Sequence, residues 1–315
     1  MATVIEEDPR FSGVLTPVIM PFNTDYSPNA KRLIRQCQWM LSQNVGLAIF
    51  GTNSEGNSLS TEEKIELIDK LVATGLDPKK MMPGTGCCAL SDTAKLTAHA
   101  TSLGCGGVLM LPPFYYKNVS DDGLYAAYTE VIQRIGSSDL RIYLYHIPPV
   151  ANVSINLDLI ERLVKDYPDT VVGIKDSSGD WNNTKAMLER QWDDFRVFVG
   201  SESFLLANMR SGGSGCISAT ANVNPAAIQK VFANWQLQNA DEMQAKLNKV
   251  RDTFANFPMI PALKQCVAHY TNDPEWERLR PPLLALGEAQ KLSLIRSLEA
   301  LNFEMPGLKS TATAV

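Results

Sequence analysis

The stretch TVVGIKDSSGD, residues 170–180, runs apolar, delivers Lys175, and then turns polar through a cluster of Ser, Gly and Asp. A short continuous apolar run bounded by turn residues is how a strand reads when both faces of its sheet are covered, as in a parallel sheet. Working outward, runs of the same character occupy 13–20, 45–50, 81–86, 106–111, 140–147, 195–200 and 214–219, which makes 170–175 the sixth of eight candidate strands. Helix-period segments lie between them. SPNAKRLIRQCQWMLSQ precedes the second run, and LSTEEKIELIDKLVATG precedes the third with a Ser or Thr N-cap and Glu in its first turn. Similar segments follow at 91–104, 120–135, 156–167, 181–192, 202–211 and 225–239. Strand and helix in strict alternation predict an α/β fold, a (β/α)8 TIM barrel over residues 1–239. Helical pieces near 240–256, 258–270 and 286–302 exceed what a barrel needs. They predict a C-terminal helical extension over 240–305, followed by a frayed tail at 306–315. The alternative is a doubly wound open sheet, but no G-x-G-x-x-G follows the first strand.

Composition narrows the partners. The chain has 315 residues, of which 45% are hydrophobic and 20% charged, with a net charge of -5. No basic stripe is present, so neither a nucleic acid nor an anionic membrane is an expected partner. The N-terminal MATVIEEDPRF is acidic without an apolar signal core, and no run of 18 apolar residues occurs, so a cytoplasmic protein is expected. The six cysteines (Cys37, Cys87, Cys88, Cys105, Cys216, Cys266) include no C-x-x-C and read as reduced thiols. Only three histidines exist, His99, His146 and His269, so a histidine-built zinc site is poorly supplied.

In a barrel, functional groups gather where strands end and βα loops begin. The period of two puts Val171, Gly173 and Lys175 on one face, with the lysine at the strand's C-terminal end and Gly173 leaving room beside it. If that face points inward, the ammonium is poorly solvated, its pKa falls toward neutrality, and the amine can attack a carbonyl. The plain alternative is a lysine that snorkels to solvent or pairs with Asp176. On the fifth run, RIYLYHIPP places Arg141, Tyr143 and Tyr145 on one face and stops at Pro148 and Pro149, which sets Tyr145 level with Lys175. A phenol there can shuttle protons; a tyrosine packed in the core is the alternative. The second run ends FGTNSEGNSLSTEEK, where Thr52, Asn53 and Ser54 add donors to a turn able to hold a carboxylate or phosphate. The fourth run ends LMLPPFYYKN, whose adjacent tyrosines fit either surface packing or a site on their own or a neighbouring subunit. SGGSGCISATANVNP, at the eighth run, is small enough to let a ligand approach the backbone.

Together GTNSE (51–55), YHIP (145–148) and GIKD (173–176), with PPFYYKNVSDDGLY and GGSGCISATANV, resemble the dihydrodipicolinate synthase / N-acetylneuraminate lyase family of pyruvate-dependent Schiff-base enzymes, in order and spacing. The resemblance implies that Lys175 forms the imine with pyruvate or another 2-oxo acid and that Tyr145 shuttles protons. It implies that Thr52 links Tyr145 to Tyr116 reaching in from a neighbouring subunit, that Thr52 and Asn53 hold the substrate carboxylate, and that main chain near Ile217 lines the pyruvate pocket. It also implies a homotetramer, or at least a homodimer, with an aldehyde as second substrate, and needs no metal or other cofactor. Departures bear on the substrate. In the lysine-pathway synthases an arginine two residues beyond Y-x-[IV]-P clamps the aldehyde partner's carboxylate; here that position is Val150. Asn53 and Ser54 replace the synthase's threonine and glycine, and Asn53 resembles the 4-hydroxy-2-oxoglutarate and 2-keto-3-deoxy sugar acid aldolase branches. His146, outward by strand parity, reads as packing rather than catalysis. The expected activity is therefore a Schiff-base aldolase or lyase. The alternatives are a dihydrodipicolinate synthase or keto-deoxy acid dehydratase using the same imine, and a non-catalytic 2-oxo acid binding protein.

Overall fold

The computed structural model describes residues 10–308. Seven parallel strands, β1 (Gly13–Thr16), β2 (Gly46–Leu47), β3 (Val108–Met110), β4 (Ile142–His146), β5 (Val171–Asp176), β6 (Arg196–Val199) and β7 (Gly215–Ile217), pair in the order β2-β1-β7-β6-β5-β4-β3. The expected third strand is present only as bridges. Leu47 pairs with Met81 and Gly84 with Leu109, both parallel, and the Met82 and Gly84 N–H groups donate to Leu47 O and Ile49 O at 2.7 Å. On the other side Leu109 N–H donates to Pro83 O at 2.9 Å. Residues 81–85 therefore join the sheet's two edges and close the barrel. Pro83 has no N–H to give to a ladder, which is why this segment bridges rather than forming a regular strand.

Twelve α-helices follow the chain: α1 (Ala30–Ser42), α2 (Thr61–Ala73), α3 (Leu90–Ser102), α4 (Asp121–Ile135), α5 (Pro148–Ala151), α6 (Leu157–Asp166), α7 (Trp181–Glu189), α8 (Leu205–Arg210), α9 (Pro225–Ala233), α10 (Ala240–Ala255), α11 (Met259–Thr271) and α12 (Glu288–Ala300). Their starts are set locally. The predicted cap of α2 is a full capping box, in which Ser60 Oγ accepts from Glu63 N–H at 3.1 Å and Glu63 accepts from Ser60 N–H at 2.9 Å. The single turn α5 forms where a stop was expected. Its prolines occupy the first helical positions, where a missing N–H costs nothing.

Strand parity sorts the core into layers. Leu15, Ala48, Met82, Leu109, Tyr143, Tyr145, Val172, Phe198 and Ile217 fill the barrel interior. Ile142, Leu144, Val171, Ile174 and Val197 face outward to the helices. Val171 thus departs from the expected face, and the cause is a bulge: Ile142 pairs with Val171 but Tyr143 pairs with Gly173, so Val172 is the extra residue. Nor is the room beside Gly173 vacant. A Cβ there would lie 2.6 Å from both the Tyr143 ring and the Arg196 carbonyl, so the aromatic takes the space that glycine yields.

The C-terminal helices close over the functional end of the barrel. Helix α11 packs on the 3-10 turns Thr52–Ser54 and Ala219–Asn222, while α10 packs on the turn Glu202–Phe204 and on α8, α9 and α12. A fully buried ion pair, Glu55 with Lys264 of α11, pins this arrangement. Lys264 Nζ also donates to Arg278 O at 2.7 Å, and Glu55 accepts from Arg280 N–H at 3.2 Å. Burial pushes the Lys264 ammonium down to about 8 and the Glu55 carboxyl upward, each against the pull of the other's charge. The expected frayed tail begins ordered: Pro306 O accepts from Trp39 Nε1 at 3.0 Å and Leu308 is buried. Its remainder, 309–315, lies outside the described residues.

Breaking this pair on one side leaves an uncompensated buried charge, so Lys264→Met is expected to lower unfolding free energy by roughly 3–5 kcal/mol in denaturant titration. The double replacement Glu55→Gln, Lys264→Met is expected to recover most of that loss. A single variant that unfolds at the wild-type denaturant concentration would remove the pair as the anchor of α11.

Candidate active site

Lys175 ends β5 with only 1% of its surface exposed, and Tyr145 is its register partner on β4. The lysine Nζ lies over the Tyr145 ring, 4.2 Å from its centroid. Among the described residues no carboxylate pairs with it. Asp176, the counter-ion proposed by the plain alternative, is committed elsewhere. It accepts from Ser178 N–H at 2.9 Å, Asn183 Nδ2 at 3.1 Å and Thr184 Oγ1 at 2.6 Å. The amine does not snorkel outward either; it opens into a cleft of ≈ 700 Å³ at the barrel's C-terminal end.

The Tyr145 hydroxyl shares a hydrogen bond of 3.1 Å with Thr52 Oγ1. Thr52 is held by a tight loop: Ser54 and Gly56 N–H both donate to Gly51 O at 3.1 Å, and Phe50 and Glu55 take left-handed φ values of 64° and 53°. Gly56 is obligatory in this turn, because a Cβ would fall 2.0 Å from the Phe50 carbonyl oxygen. Thr52 and Asn53 both line the cleft, whereas Ser54 is buried with a hydroxyl that makes no hydrogen bond among the described residues.

Two candidates stand elsewhere. Ile217 lies in the barrel interior, and Ala219, two residues on, lines the cleft in its place. Tyr116, on the loop after β3, is 74% exposed and packs edge-to-face with Tyr115 at 5.3 Å, outside the cleft lining. His146, one residue past Tyr145, is buried on the outer side, where Nδ1 accepts from Ile155 N–H at 3.0 Å. Burial holds its pKa below the usual histidine value, against the pull of Asp176, so the ring is neutral and structural.

The cleft also contains groups that strand-end reasoning passed over. Ser177, Thr184 and Ser201 add hydroxyls, and Arg251 enters from α10. Pro258–Pro261 and Pro282–Leu286 supply an apolar wall. The segment RPPLLALG was the available signal for that wall, an apolar run with no strand or helix to claim it. A lone arginine within NKVRDTF carried none.

An arrangement with a buried amine, an adjacent phenol and a threonine relay can form and protonate an imine. Comparison with known proteins agrees. Residues 10–301 match the dihydrodipicolinate synthetase family. An uncharacterised DapA-like lyase of Chloroflexus aurantiacus is 31% identical, covering 93% of this chain and 97% of its own. A 4-hydroxy-tetrahydrodipicolinate synthase of Listeria monocytogenes is 30% identical, covering 92% and 98%. Among solved structures, dihydrodipicolinate synthase from Agrobacterium tumefaciens superimposes with a TM-score of 0.85 at 30% identity, covering 92% of this chain and 99% of that one. A variant of Sulfolobus solfataricus 2-keto-3-deoxygluconate aldolase shares the fold at a TM-score of 0.82 and 20% identity, covering 92% and 96%. From that full-length match, the chain belongs to the dihydrodipicolinate synthetase family and is a lyase of the Schiff-base aldolase type.

Proposed function

We propose that the chain makes or breaks the C3–C4 bond of a 2-oxo acid, with pyruvate as substrate or product, on an imine at Lys175. The substrate is of the 4-hydroxy-2-oxoglutarate or 2-keto-3-deoxy sugar acid kind. The observation that carries this reading is the buried Lys175 amine, paired in register with Tyr145 and left without a carboxylate partner among the described residues. In the cleavage direction Nζ adds to the C2 carbonyl, the carbinolamine hydroxyl leaves as water with the proton of the Tyr145 phenol, and a protonated imine forms beside the phenolate. Tyr145 then takes the proton of the C4 hydroxyl. The C3–C4 electrons move into the imine as an enamine, and the aldehyde departs. Tyr145 passes that proton to C3, and addition of water, whose surplus proton returns to the phenolate, gives pyruvate and the free amine. Thr52 holds the Tyr145 hydroxyl toward this path, and Thr52 with Asn53 takes the substrate carboxylate. Tyr116, exposed on its own chain, would complete the relay in a partner subunit of a homodimer or homotetramer.

A synthase or dehydratase that uses the same imine is the second reading, favoured by the name of the Listeria relative. Against the synthase stands Val150, which lines the cleft and offers no guanidinium to an aldehyde's carboxylate. A binding protein without turnover has no use for a desolvated amine beside a phenol.

Sodium borohydride added with pyruvate is expected to fix a reduced pyruvyl adduct on Lys175 and to abolish activity, read by intact and peptide mass. An unchanged mass, or an adduct on another lysine, would reject the assignment. Tyr145→Phe is expected to keep the trapped adduct while slowing turnover by roughly 10²-fold or more, as removal of an acid–base group does. Wild-type turnover in that variant would demote the tyrosine.

A further inference from the structure

Arg251 shares the cleft with Lys175 but comes from α10, a helix beyond the barrel. Its side chain is 21% exposed, and Nη1 lies 3.6 Å from a carboxylate oxygen of Glu202. That separation is beyond hydrogen-bond range, and Nη1, itself buried, makes no hydrogen bond among the described residues. Glu202 has other donors. It is 1% exposed in the turn after β6, and its two oxygens accept from the hydroxyls of Ser218 and Thr220. The carboxylate thus orients the guanidinium by charge while leaving its N–H donors uncommitted. A partly buried arginine whose Nη1 is buried without a hydrogen bond, in such a cleft, matches a planar carboxylate or a phosphate. Phe204, Pro258, Met259 and Ile260, which line the same cleft, carry no side-chain acceptor.

We propose that Arg251, oriented by Glu202, binds an anionic group on the part of the substrate remote from the imine. That group is a carboxylate or phosphate carried by the aldehyde partner and by the 2-oxo acid made from it. The clamp absent at Val150 is thereby supplied from the C-terminal helices, and Glu202 is a positioning residue. This inference rests on the imine reading above.

Its test is condensation of pyruvate with paired aldehydes by wild type, Arg251→Met and Arg251→Lys. Glyoxylate against glycolaldehyde reads a carboxylate, and glyceraldehyde 3-phosphate against glyceraldehyde reads a phosphate. In Arg251→Met the ratio of kcat/KM for the anionic over the neutral member is expected to fall roughly 10- to 100-fold in one pair, carried by KM, the size of a lost charge-assisted hydrogen bond. Should thermal melting show Arg251→Met poorly folded, Arg251→Lys carries the test. It keeps the charge, loses the fork, and is expected to give a smaller fall in the same ratio. Equal losses on both members of each pair, or a wild type with no preference for either anionic aldehyde, would overturn the proposal. Borohydride trapping of pyruvate on wild-type Lys175 separates the two readings: no adduct sinks the imine, whereas an adduct with unselective losses sinks the arginine clamp alone.

Discussion

The constraint from which the site follows is the burial of the Lys175 amine at the end of β5 with no carboxylate paired to it among the described residues. A buried charge that is not paired is costly, and a protein ordinarily neutralises it or supplies a counter-ion. Here the carboxylate next in sequence, Asp176, is taken up by Ser178, Asn183 and Thr184. What faces Nζ instead is the Tyr145 ring, a weak electrostatic partner worth about 0.5–2 kcal/mol. The fold therefore holds the Lys175 amine where its nearest partner is an aromatic ring and not a counter-ion. The bulge at Val172 and the seating of Tyr143 against Gly173 are the backbone devices that deliver the side chain to that place.

The second structural theme is a division between barrel and extension. The barrel supplies the amine, the phenol and the threonine that the proposed imine chemistry uses. The extension supplies the rest of the cleft: Arg251 from α10, the Pro258–Pro261 turn into α11, and the loop before α12. This second wall is joined to the first by polar contacts across long stretches of chain. Lys264 meets Glu55, and Arg280 meets Glu63 of the α2 capping box through both guanidinium nitrogens while its backbone N–H reaches Glu55. The same loop that carries Thr52 thus carries the residue that fixes the extension, so the relay to Tyr145 and the second wall are registered against each other.

Much of this was legible in the sequence, for identifiable reasons. Eight apolar runs separated by helix-period segments specify a closed α/β barrel, and their ends mark where chemistry sits. Equal distance from the strand ends set Tyr145 level with Lys175, and the register agrees. The face of Val171 was misread, because a bulge shifts parity by one residue and nothing in TVVGIK announces it. The third strand was legible as a run but not as a pair of bridges, since its Pro83 limits pairing. The seating of Arg251 and of the Leu283–Leu286 wall depends on how α10 and α11 dock. Side-chain spacing along one helix does not contain that information.

The cleft holds two cationic side chains in different electrostatic settings, Lys175 and Arg251. Beside Lys175 the lining includes the hydroxyls of Thr52 and Ser177, the Asn53 amide and the Tyr145 phenol, and the one carboxylate there, Asp176, is taken up by Ser178, Asn183 and Thr184. Around Arg251 a permanent cation is held in place by the buried Glu202, whose own charge is met by Ser218 and Thr220. A guanidinium whose charge is met by a buried carboxylate opposes formation of a cationic imine less than an unpaired one would. Relocating the cation from the end of β4 to α10 therefore changes which electrophile is held, while the machinery that forms the imine stays the same.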